Sequence, residues 1–154
     1  MAIFSSDGAP SLAVDVAGWF TDSSNPTAPG ARFTAASQPL RICDTRGSQA
    51  ANPCTGKTLH AGTDLHVTVG GNDGVPKGAT AVVLNVTATD GASSGYMTLS
   101  PAGEAPPLAS DLNFTEGESV ANMTIATLGT EGAFSVSISA NSADVIVDLV
   151  GWYS

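Results

Sequence analysis

Cations are scarce in this chain. Lys and Arg together number five among 154 residues, against fourteen Asp and Glu, and the formal net charge is −9. A surface so poor in positive charge repels phosphate backbones and anionic lipid, so no nucleic-acid partner is expected. Long hydrophobic runs are also missing. No stretch approaches the roughly 20 apolar residues of a spanning helix, so no membrane insertion is expected. The opening MAIFSSDGAP does not read as a secretory leader; it reads as the middle of a strand-rich unit. Only two histidines and two cysteines occur, with no CxxC pair, which argues against zinc. Neither His60 nor His66 sits beside a serine or cysteine motif such as GxSxG, so no catalytic residue is assigned and no enzyme is expected. Sustained helical periodicity is lacking as well.

What remains is strand. In DLHVTVGG, Leu65, Val67 and Val69 alternate with His66 and Thr68. In ATAVVLNVTATD, Val82, Leu84, Val86 and Ala88 form one side, with Asn85, Thr87 and Thr89 on the other. AFSVSIS sets Phe134, Val136 and Ile138 against three serines. Such period-two patterns, rich in Val and Thr, mark half-buried antiparallel strands. ARFTA, PLRICD, GYMTLSP, ASDLNFT and SVANMTIATLG are further candidates, and Gly-rich or polar turns such as GGNDGVPKG, TDGASSG and SANSAD separate them. About ten short strands in a chain of one-domain size predict an all-β antiparallel sandwich, Greek-key or jelly-roll-like, joined by hairpins and Greek-key returns.

One strand is present twice. SLAVDVAGWFT (residues 11–21) and DVIVDLVGWYS (144–154) share Val14, Asp15, Gly18 and Trp19 with Val147, Asp148, Gly151 and Trp152, an offset of 133. Carried further back, the offset aligns IFSSDGAPSLAVDVAGWF with VSISANSADVIVDLVGWY, strand for strand and turn for turn. Residues 1–22 therefore read as the closing hairpin of a preceding repeat and residues 23–154 as one complete repeat. An alternative is two hairpins of one domain that converged on similar positions. A lone hairpin is marginal in water, so this one is expected to pack on the main body.

Cys43 and Cys54 bracket RICDTRGSQAANPCTG. A disulfide is the favoured reading, closing a loop rich in Gly, Asn, Pro and Ser, stabilising by about 2–3 kcal/mol and implying an oxidising, extracellular setting. Two free thiols or half a metal site are the alternatives.

RICDTR, CTGKTLHAG, VPKGATAVVLNVTATD, GYMTLSP, ASDLNFTEGESVAN and DVIVDLVGWYS occur in this order. Together they resemble a tandem β-rich repeat of secreted, cell-surface actinobacterial proteins, whose units stand in series or follow a hydrolase domain. The resemblance covers about residues 31–154, with residues 1–22 similar to the tail of a preceding unit. It implies an extracellular, non-catalytic module with no agreed activity, here the last unit of a longer protein.

The candidate ligand-binding residues are aromatic and acidic. Trp19, Trp152, Tyr96 and Tyr153 offer rings for sugar stacking, although both tryptophans follow Gly at a strand end, where they also suit a core or junction. Asp15 and Asp148 occupy equivalent places, on the same side as their tryptophans, suiting a cation, a sugar hydroxyl or a wet sheet face. Asn72, Asp73 and Asp90 sit in Gly-rich turns and are weak calcium candidates without DxDxDG spacing; turn propensity explains them equally well. No cofactor is otherwise expected. His60, Asp64 and His66 lie close in sequence but read better as exposed side chains than as a metal site. Asp44 and Arg46 suggest a structural ion pair. Asn85, Asn113 and Asn122 open N-x-[ST] triplets and read as internal ties between strands.

The leading expectation is a non-catalytic structural or adhesive module whose partners are neighbouring repeats or other copies. A carbohydrate-binding module that anchors an attached hydrolase to polysaccharide is the rival, and filament formation by strand complementation a third reading.

Overall fold

A computed structural model describes residues 8, 11, 14–19, 30–47 and 52–154. The strands are β1 (Phe33–Asp44), β2 (Leu59–His60), β3 (Asp64–Thr68), β4 (Ala81–Thr89), β5 (Gly95–Pro101), β6 (Leu112–Phe114), β7 (Val120–Thr127), β8 (Ala133–Ile138) and β9 (Ser142–Tyr153). One 3-10 turn, Thr130–Gly132, precedes β8.

Two antiparallel sheets pack face to face. The first runs β1-β9-β4-β7, with β2 also pairing β9, and the second runs β3-β8-β5-β6. Setting aside the two-residue β2, this is jelly-roll order: successive strands cross between the sheets, and β5–β6 is the one sequential pair bonded within a sheet. The expectation of a β-sandwich is met.

The alternation seen in sequence is the reason for the two layers. Val82, Leu84, Val86 and Ala88 of β4, with Val145, Val147 and Leu149 of β9, face Val67, Met97, Phe134 and Val136 of the second sheet across one continuous core. Each Val, Leu, Met or Phe among them contributes about 1.5–3 kcal/mol on leaving water. The ends of β4 are tied by their neighbours: β9 pairs on one side from Ala81↔Tyr153 to Thr89↔Asp144, and β7 on the other from Ala81↔Thr127 to Ala88↔Val120.

Two expectations need correction. The closing segment is not a hairpin, because β8 pairs with β3 and β5 while β9 pairs with β1, β2 and β4. The turn after Ile138 carries the chain across the core, so the apolar sides of both strands face each other instead of lying in one sheet. Asp148 and Trp152 also do not share a side. The ladder shifts register between Leu84↔Leu149 and Val83↔Gly151, a bulge that leaves Val150 extra. Trp152 thereby lies opposite the buried Val82 and packs against the core, whereas Asp148 faces outward opposite Arg41.

Most of the expected front hairpin, Ile3–Phe20, lies outside the described residues. Within it, Val14–Trp19 forms no strand, and Trp19 is 81% exposed.

Candidate functional site

The densest polar cluster grows from the end of β1. Cys43 is joined to Cys54, and both are buried. The bond brings the loop after β1 back against β9. Between the cysteines, Asp44 is 1% exposed. Its carboxylate accepts bonds from Arg46 Nε at 2.9 Å and Nη2 at 2.7 Å, and from Arg41 Nη1 at 3.4 Å. The hydrogen bond from Arg46 is the chief cause holding the Asp44 carboxyl below its ordinary value, against the opposing effect of burial. Arg41 also donates to Asp148 on the neighbouring strand, at 2.8 and 3.2 Å.

Beneath these charges, Thr45 Oγ1 donates to Asp144 at 2.7 Å and accepts from the Val145 amide at 2.9 Å. Thr58 donates to the same Asp144 oxygen at 2.9 Å. Asn52 Oδ1 accepts from the amides of Asp44 and Cys54, and its Nδ2 donates to the Asp44 carbonyl. The Asp44–Arg46 pair suggested by sequence is therefore present. Arg41, Asn52 and Asp144 were missed, because sequence spacing gives no sign that β1 and β9 are neighbours. This cluster satisfies itself, and its chemistry is that of a clasp.

The other candidates are not gathered at one place. Tyr153 lies on the outer face of the first sheet, its ring 5.4 Å from that of Phe33. Tyr96 belongs to the second sheet and is 47% exposed. Asp148 is taken up by Arg41 and supports a structural role. Asp73 and Asp90 adopt left-handed backbone, φ 52° and 53°, and the Asn72 amide and carbonyl close the turn with Val69 and Val75. His66 Nδ1 lies 2.9 Å from Ser135 Oγ, Asp64 accepts from Ser137, and among the described residues no three His, Cys, Asp or Glu form a group suited to a metal ion. Asn122 donates to the Asp111 carbonyl at 2.6 Å, an internal tie of the kind expected, and Asn113 accepts from Ser110 at 3.4 Å.

Two grooves remain. The larger, about 750 Å³, runs over the outer face of the first sheet beside β7, with Phe33, Val83, Met123, Ile125 and Tyr153 in its lining. Asp15, Val16 and Ala17 of the front segment line it too. The smaller, about 450 Å³, lies on the outer face of the second sheet. Asp64, Ser137 and Thr98 form a row across β3, β8 and β5, with Tyr96 and Ser139 beside it. Pro106, Pro107 and Leu108 close its other side. Asp64 uses one carboxylate oxygen to accept from Ser137 Oγ at 2.6 Å.

Among the described residues no helix is long and apolar enough to cross a membrane. The disulfide is of the kind that persists in oxidising, extracellular surroundings. Comparison with known family models and with curated proteins returns no match for this chain.

Proposed function

We propose that the chain is a non-catalytic structural or adhesive module of a secreted or cell-surface multidomain protein, partnered by neighbouring copies of the same unit. The observation that carries this reading is the second copy of the β9 sequence at Ser11–Thr21. Central strands are the least dispensable part of a sandwich, so a spare one belongs to another sandwich. Asp15, Val16 and Ala17 line the groove beside β7, which supports a light junction between this segment and the outer face of the first sheet. A clasp built from a disulfide, two arginines and three aspartates suits a part that bears load more than one that turns over substrate.

Deleting residues 1–22 tests the junction. Loss of light cover from Phe33, Met123 and Ile125 is expected to lower stability by about 1 kcal/mol or less, roughly 2–4 °C in a domain of this size. An unchanged melting temperature overturns the docking role. Light scattering across concentration separates docking within one chain from docking into a second copy.

A further inference from the structure

We infer that the smaller groove, on the outer face of the second sheet, is a binding site for a neutral saccharide. A pyranose presents two kinds of surface, patches of C–H and a rim of hydroxyls, and a site for it needs a flat apolar face beside fixed acceptors and donors. Both are here. Tyr96 gives a half-exposed ring at one side. Facing it, two successive prolines with fixed φ stiffen the wall, and Leu108 stands fully exposed at its rim. An apolar side chain held so far into water lacks a partner within the fold.

The floor supplies the polar half. Asp64 Oδ1 is bonded to Ser137, while its second oxygen has no protein partner among the described residues. The Tyr96 hydroxyl likewise has none, and Ser139 Oγ bonds only the Tyr96 backbone, donating and accepting. Asp64, Ser137 and Thr98 stand on paired strands about 4.8 Å apart, so their row spans about 10 Å without a flexible element. Rigid placement keeps the entropic cost of binding low. The volume of about 450 Å³ falls within the roughly 300–1,000 Å³ typical of small-ligand sites.

Charge selects among sugars. No Lys or Arg lines the groove, Asp64 carries negative charge into it, and the whole chain has a net charge of −9. Uronic, sulfated and phosphorylated glycans are repelled; neutral hydroxyls are not. The two grooves share Pro107, but Tyr96 and Asp64 line the smaller one alone, so variants there test it separately from the module reading.

Isothermal titration calorimetry of the full chain with cellopentaose, xylopentaose, mannopentaose and chitopentaose tests the inference, with oligogalacturonate as the acidic probe. At least one neutral oligosaccharide is expected to bind, and oligogalacturonate is not. Tyr96→Ala is expected to weaken binding at least tenfold and Asp64→Asn several-fold, both with unchanged melting temperature. Met123→Ala, on the other sheet, is expected to leave affinity as it is. The inference is overturned if none of the four binds, if both groove variants bind like the original chain, or if oligogalacturonate binds as well as the neutral sugars.

Discussion

Val14–Trp19 and Val147–Trp152 read VDVAGW and VDLVGW, yet they live in different surroundings. The second is the C-terminal half of β9, bonded to β1 on one side and β4 on the other, with Val147 and Leu149 fully buried. The first pairs with no strand among the described residues; Val14 is 52% exposed and Val16 83%. The glycines differ as sharply. A Cβ on Gly151 would meet the Thr34 carbonyl oxygen at 2.5 Å and the Phe33 ring at 2.6 Å, whereas one on Gly18 would meet nothing within 4 Å. Alternation and β-propensity make a segment competent to be a strand. Neighbours on both edges make it one.

The contrast is sharpest in the core. Leu149→Ala is expected to destabilise by about 2–5 kcal/mol through a cavity beside Leu84, while the equivalent Val16→Ala stays within about 0.5 kcal/mol. Chemical denaturation of both variants checks this, and equal losses would put the front segment inside a core. Next comes the glycine pair. Gly151→Ala forces β1 away from β9 and is expected to cost about 1–3 kcal/mol by overpacking, with Gly18→Ala neutral in the same melt.

The smallest difference is electrostatic. Asp148 holds Arg41, which also reaches Asp44, while Asp15 has no hydrogen-bond partner among the described residues. Because the folded Asp44 carboxyl titrates below its ordinary value, its contribution is fully present above that value, about 3.9 for aspartate. It is lost as pH falls through the depressed one. Asp44→Asn is therefore expected to flatten the acid limb of the stability–pH curve below about pH 4, whereas Asp15→Asn leaves it in place. An acid limb equally steep in the Asp44 variant would assign acid lability to other carboxylates.

Much of the secondary structure was legible because strand alternation is a local property. Leu65/Val67, Val82/Leu84/Val86 and Phe134/Val136/Ile138 each declared their inner face without reference to the rest of the chain. Sheet membership was not legible: the short SANSAD turn suits a hairpin as well as it suits a crossing between sheets. The Val150 bulge was hidden for a related reason. It lies where β9 shifts register against β4, next to Gly151 packed under Phe33 of β1, contacts that join residues far apart in sequence. The acidic candidates fared likewise. Nothing near Asp148 names Arg41, which meets it only across the β1–β9 ladder, and nothing near Tyr96 names Asp64, which lines the same groove from two strands away.

By itself, the order of residues determined that the chain folds as strands, which side of most of them turns inward, and that one of them occurs twice. Only the tertiary structure decided which strands share a sheet, on which side of the sandwich Trp152 falls, and that VDVAGW lies exposed while VDLVGW is central. Side-chain alternation is set by each strand's own pleat, but pairing is set by whichever edges are close enough to exchange hydrogen bonds, and that is a property of the whole fold.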